Sequence, residues 1–196
     1  MSTKSEVDTA FDRYFGDRRY FLRDMATASI GWYKTEVLQL RRKRFNKRHF
    51  IMAEGDMVRK RVMIGQMFMF GYFPKYHETL PVWDKYPLVI PFRRTDNGFI
   101  GINFHYLPYK ARAWLLWKLE KAFNLKASEG KKMRVTYQLL EGFSRVPLAE
   151  YAVHRYLSDH ILTPYKLIEV YDYPRAIMLP IQQFYGEDAN KFKKLI

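Results

Sequence analysis

The first quarter of the chain repeats apolar side chains at helical steps, with Phe11, Tyr14 and Phe15 followed by Ile30, Tyr33, Val37 and Leu40. Intervals of three and four residues place such positions on one face of an α-helix, so the stretch from Val7 to about His49 is expected to be helical. Gly16 and Asp17 divide it into a short helix and a long one, and Glu54-Gly55-Asp56 marks a second break. Between Arg61 and Pro108 the period shortens to two. In Val62 to Tyr72 the even positions are mostly large and apolar while the odd ones are Met and Gly, which predicts a strand covered on both faces. Leu88–Phe92 and Phe99–Tyr106 flank Asp96-Asn97-Gly98, whose Asn-Gly step tolerates the positive φ of a tight hairpin turn. Pro74, Pro81, Pro87 and Pro91 confine this sheet to a small size with irregular edges.

Pro108 opens a helix that runs to about Phe123, with Ala111, Leu115, Leu119 and Ala122 in one apolar stripe and Trp114, Trp117 and Lys121 in the next. A helix apolar around so much of its circumference must be covered by the sheet, by later helices or by a partner, and Trp114 and Trp117 are the candidate partner interface. A charged loop over Asn124–Lys132 precedes two expected helices, Met133–Phe143 and Pro147–Ile161. Leu167–Tyr171 and Ala176–Pro180 read as strands, and Glu187–Ile196 reads as a basic tail. The fold class that follows is α+β, a small twisted antiparallel sheet, open or curled toward a barrel, packed by helices. Its organisation is an N-terminal helical arm over residues 1–60, a core domain over 61–186 and a C-terminal tail over 187–196.

Composition adds a size and a charge. With 196 residues, 48% hydrophobic and 17% aromatic, the chain is long enough for one core and short for two. Its net charge is +14, which attracts nucleic acid, an anionic surface or an acidic protein. The densest positive run closes the long helix: Arg41, Arg42, Lys43, Arg44, Lys47 and Arg48. Cations in a last helical turn answer the helix dipole, but this run exceeds what a cap needs. It is therefore the candidate contact for nucleic acid or an acidic partner, since Lys and Arg displace counterions from phosphates without reading sequence. Cysteine is absent, which excludes disulfides and thiolate metal sites and fits synthesis in a reducing cytoplasm. No signal peptide is expected at the start and no apolar run approaches a bilayer span, so no membrane partner is expected.

Catalytic chemistry finds little footing. The phosphate-binding loop ending in Gly-Lys-Ser/Thr, the His-Glu-x-x-His zinc helix and the Gly-x-Ser-x-Gly elbow are all missing from the sequence. On the expected third helix, His154 and His160 fall on opposite sides, a poor geometry for one metal. Asp84, Asp96, Glu120 and Glu129 are too scattered along the chain to suggest a divalent-ion site. The expectation is a binding protein, not an enzyme, with no metal and no cofactor.

One block is distinctive. It runs Gly65-Gln66-Met67-Phe68-Met69-Phe70-Gly71-Tyr72, then Pro74-Lys75, Thr79-Leu80-Pro81, Asp84 and Pro87-Leu88-Val89, and continues in Gly98-Phe99-Ile100-Gly101-Ile102-Asn103-Phe104-His105-Tyr106-Leu107-Pro108. It resembles a family of tailed-phage proteins found in T-even-like and marine myoviruses, whose members are described as DNA end protectors or virion structural proteins. The likeness covers about Gly65 to Leu119, with an echo at Tyr156–His160 and Met178–Pro180, and leaves the N-terminal helices outside. The resemblance implies a virion component made in the host cytoplasm and present in multiple copies in a symmetric assembly, with other virion proteins as partners. The leading expectation is a structural part of the neck, tail or baseplate. The alternative is a protein of the head that binds and protects termini of double-stranded DNA through the run at 41–48. Within the block, the prolines stiffen a crossing in which Asp84 and His105 are expected to hydrogen-bond as a structural junction.

Overall fold

The computed structural model describes residues 5–16, 22–42, 62–80 and 83–180. Five helices, α1 (Glu6–Phe15), α2 (Leu22–Arg42), α3 (Tyr109–Phe123), α4 (Glu129–Phe143) and α5 (Tyr173–Met178), surround the sheet within these residues. The sheet is antiparallel and open, with the order β4 (Val153–Leu157), β3 (Gly98–Asn103), β2 (Leu88–Thr95), β1 (Phe68–Met69) and β5 (Lys166–Leu167).

Alternation along the strands divides the core. Met67, Met69, Leu88, Ile90 and Ile102 point to the helical side, where they join Leu115, Leu116, Leu119 and Leu140. Phe68, Phe70, Val89, Phe99 and Tyr156 point the other way and form a second, aromatic cluster. Its rings meet edge to face, Phe70 to Tyr156 at 5.3 Å, with Phe99 stacked on Tyr156 at the same distance. Both faces of β1 are thus covered.

The two N-terminal helices lie against this core. Ser5 caps α1 by accepting the Asp8 amide, and Gly16 ends it at φ 53°. Phe11 and Phe15 of α1 are buried, and the helix is tied to α3 by Arg13–Glu120, Lys110–Asp8 and Lys118–Glu6 ion pairs of 2.7 to 2.9 Å. On α2, Tyr33 is buried and donates to the Tyr86 carbonyl at 2.9 Å, and Glu36 pairs with Lys166 beside α5.

Several elements differ from the sequence reading. The expected strand Val62–Tyr72 contributes only Phe68–Met69 to the ladder, because Gly65 turns the chain at φ 83° and the Gly71 amide is taken by the Thr163 hydroxyl at 2.7 Å. The expected helix Pro147–Ile161 is a 3-10 turn over Pro147–Ala152 followed by strand β4. The open edge of β3 recruits Val153–Leu157, in register from Ile102↔Val153 to Gly98↔Leu157, and this long-range pairing overrides the local helical pattern. The expected strand at Leu167–Tyr171 shortens to β5 and a 3-10 turn, and of the expected strand Ala176–Pro180 the residues Ala176–Met178 belong to α5, started by Pro174. The hairpin is present, but its turn residues are Asp96 and Asn97 and no residue other than glycine has positive φ among those described. Gly98 is needed for a different reason: a Cβ there would lie 1.9 Å from the Tyr156 carbonyl oxygen of β4.

The deepest charge among the described residues is Arg112, on α3 and fully buried. Its Nε donates to the Leu107 carbonyl at 2.8 Å and its Nη2 to His105 at 3.1 Å. Nη1 reaches Ile177 at 2.9 Å, Leu179 at 2.6 Å and, at 3.3 Å, Ala176. The cation is therefore held by main-chain oxygens, three of them at the end of α5 where the helix dipole is negative. Burial draws its pKa down to about 9, which leaves it charged at neutral pH. Arg112→Met should strand several buried carbonyls at about 1–3 kcal/mol each. Urea unfolding should show a loss of at least about 3 kcal/mol, and a loss below about 1 kcal/mol would contradict this account.

Candidate nucleic-acid interface

A cleft of about 490 Å³ opens beside edge strand β4. One wall is β4 itself, with His154, Arg155 and Tyr156, and the other is the segment after β1, with Tyr72, Lys75, Tyr76 and, further on, Trp83. The hairpin turn supplies Asn97 at the rim, and Asn103 and Tyr106 lie toward the floor. Lys75, Tyr76, Asn97 and Arg155 are exposed. The Arg155 guanidinium donates to Asn97 Oδ1 at 2.8 Å, and Lys75 Nζ lies 5.4 Å from the Tyr76 ring centre.

The floor is polar but closed. Leu157 N–H donates to the Tyr72 hydroxyl at 3.2 Å, and Asn103 Oδ1 accepts the His105 amide at 3.0 Å. Asn103 also bonds the Tyr156 hydroxyl. Burial raises the pKa values of Tyr72, Tyr106 and Tyr156, so these phenols stay neutral and remain hydrogen-bond donors.

Asp84 also lines the cleft, where it forms a junction with His105. His105 Nδ1 hydrogen-bonds Asp84 Oδ2, both side chains being almost fully buried, while Asp84 Oδ1 accepts the Tyr86 amide at 3.2 Å. Tyr33 of α2 meets the His105 ring edge-on at 5.5 Å. The pair thus links the chain entering β2 to the turn that follows β3. It leaves the carboxylate committed to the fold.

The remaining sequence candidates fall elsewhere. Arg41 and Arg42 are exposed in the last turn of α2, whereas Lys43, Arg44, Lys47 and Arg48 lie outside the described residues. Trp114 is half-buried and stacked on Phe143 at 5.9 Å, and Trp117 is buried with Lys121 Nζ 3.5 Å from its ring centre. Glu120 pairs with Arg13 and Glu129 with Lys132. His154 stands on β4 beside Tyr106, and His160 bonds the Phe73 carbonyl, so the helical spacing weighed for them does not arise. Three or more His, Cys, Asp or Glu side chains poised to hold a metal ion are not found among the described residues. The cleft was not foreseen from sequence, because its β4 wall reads locally as helix, and neither was Arg112. The exposed pair Lys75-Tyr76 after a buried strand was the available signal.

A family model described as Phage T4 terminal DNA protecting protein matches residues 38–194. The chain belongs to that family. The match extends well beyond the distinctive block, from the end of α2 through the basic run, the whole sheet and both walls of the cleft. Only α1 and most of α2, among the helices described, fall outside it. Comparison with curated proteins and with solved structures returns no match.

Two outcomes test the buried frame of this site. Asp84→Ala should cost about 2–3 kcal/mol in urea unfolding and Asp84→Asn less, since the amide keeps one hydrogen bond; unchanged stability in both would contradict the junction. His154 has a pKa pushed below its ordinary value of 6.5 by burial, and its Nε2 is closed off from solvent without a hydrogen-bond partner. The unfolded chain therefore takes up the proton first as pH falls, so this residue withdraws stability below about pH 6.5 and withdraws none above it. His154→Gln should flatten the fall in the urea midpoint between about pH 7 and about pH 5.5. An acid limb as steep as that of the wild type would contradict it.

Proposed function

We propose that this chain binds and shields the ends of the double-stranded genome of a tailed phage, without catalysing a reaction on them. The observation that carries the reading is the family match over residues 38–194, which takes in the basic run and the sheet together. A net charge of +14 supports it, because a surface of that sign gains affinity for DNA by releasing counterions. The run at 41–48 is the strongest local source of that field, and Arg41 and Arg42 present its first two cations to solvent.

The carboxylates support binding over metal-dependent cleavage. Asp84 is tied to His105, Glu120 to Arg13 and Tyr14, and Glu129 to Lys132, so each is engaged in holding the fold or a surface pair. Localisation in the virion fits the same reading. None of the helices described is long and apolar enough to cross a membrane. A DNA terminus is favoured over the neck, tail or baseplate, since the matched family is described by its terminal DNA and not by those structures.

The test is protection of linear duplex from a processive exonuclease, together with binding titrated over salt. The wild-type chain should delay digestion, with log K falling steeply against log salt. A variant with Arg41, Arg42, Lys43, Arg44, Lys47 and Arg48 changed to Gln should lose protection and lower the slope by up to about 5. Absence of wild-type binding at about 50 mM salt, or a variant as protective as the wild type, would overturn the proposal.

A further inference from the structure

We infer that the cleft beside β4 receives the terminal nucleotide of one DNA strand, its base against Tyr76 and its phosphate on Lys75 and Arg155; this rests on the DNA-end reading above. The volume decides what can enter. At about 490 Å³ the cleft lies within the range of small-ligand sites and is far too small for a duplex. An internal base pair could fill it only by flipping out, at an unstacking cost of a few kcal/mol that is least where pairing is already weak. A strand end, which has a stacking neighbour on one side only, is the cheapest source of a free nucleotide.

The lining has the matching chemistry. Tyr76 is 62% exposed, a large ring left to solvent at the mouth of a concave site, and base stacking on such a ring is indifferent to sequence. That tolerance suits a protein whose task is to meet an end rather than a sequence. Lys75, on the segment after β1, and Arg155, on β4, both line the cleft and are exposed, which supplies two cations for a phosphate. Arg155 is already oriented by Asn97 at 2.8 Å, which lowers the cost of aiming it. The neutral Tyr72 hydroxyl, which accepts Leu157 N–H and keeps its own O–H, offers a polar group to a base edge. Because the floor is fixed by Leu157, Asn103 and the Asp84–His105 pair, the cleft is formed before any ligand arrives.

Affinity and end preference then separate onto different residues. The basic run supplies salt-dependent attachment anywhere on DNA, and the cleft supplies the preference for a terminus. The experiment measures binding of the full chain to two DNAs of equal length and sequence, one a linear blunt duplex and one with both ends closed by hairpins. A terminal 2-aminopurine reports stacking by its fluorescence. The wild type should favour open ends roughly tenfold and quench the terminal probe, as expected for one stacked base. Tyr76→Ala and Arg155→Gln, both surface changes checked by an unaltered melting curve, should bring open-end affinity down to the closed-end value and abolish quenching. Tyr76→Phe should retain both effects. The six-residue basic-run variant should weaken binding to the two DNAs equally.

If Tyr76→Ala and Arg155→Gln keep the wild-type preference, or if the wild type binds open and closed DNA alike, the cleft does not read the terminus and the inference falls. If the two cleft variants keep the preference while the wild type still protects ends, the DNA-end reading stands without it. If the wild type binds neither DNA, the DNA-end reading fails first and the inference fails with it.

Discussion

A single buried guanidinium sets the geometry on which the rest of the molecule depends. Arg112 joins the turn after β3, through the His105 and Leu107 carbonyls, to the end of α5, through Ala176, Ile177 and Leu179. A cation taken out of water without a carboxylate is costly, and here it is stabilised by main-chain dipoles pointing at it from two directions. Those oxygens in turn have no access to water and need a donor. The two requirements meet in one side chain whose planar fork can serve several acceptors at once, which an ammonium could not do with the same geometry. Because His105 lies in that turn, Arg112 also positions the Asp84–His105 junction and, through Asn103, the cleft floor.

Charge in this protein is divided between two tasks. Around α1 and α3, acids and bases are matched: Glu6 with Lys118, Asp8 with Lys110, Glu120 with Arg13. Exposed pairs of this kind contribute little stability each, typically under about 1 kcal/mol, but they neutralise that face. Part of the surplus lies elsewhere, in the run that begins at Arg41 and in Lys75 and Arg155 of the cleft. A protein that remains folded at high positive charge is served by such pairing, since it limits self-repulsion in the packed layers.

What could be read from the sequence was local. The hairpin is legible because alternation in Leu88–Phe92 and Phe99–Ile102 is a property of adjacent residues, and the helix after Pro108 because its apolar stripe is continuous. The role of Gly98 was not, since the reason for it is a strand more than fifty residues away that passes too close for a Cβ. The same remoteness hid β4, where Pro147, Ala149 and Ala152 suggest a helix until the unpaired edge of β3 is taken into account. Four apolar residues at Ala176–Leu179 fit a strand or a helix equally, and Pro174 together with the donors of Arg112 selects the helix. Arg112 escaped notice because an arginine on an amphipathic helix is ordinarily solvated, although its position three before Leu115 and seven before Leu119 places it within the apolar stripe. Asp84 and His105 stood out as a polar pair in an apolar block, and their side chains meet. The basic run was visible as composition, yet its folded surroundings beyond Arg42 lie outside the described residues.

The central claim is that binding is directed to the ends of DNA by a folded cleft and held there by a basic surface. Hydroxyl-radical footprinting of the chain on a long linear duplex at physiological salt tests it most directly. The account predicts protection confined to the outermost nucleotides of each end, persisting when excess closed-circular DNA competes. Uniform protection along the duplex, or a footprint removed by the circular competitor, would contradict it.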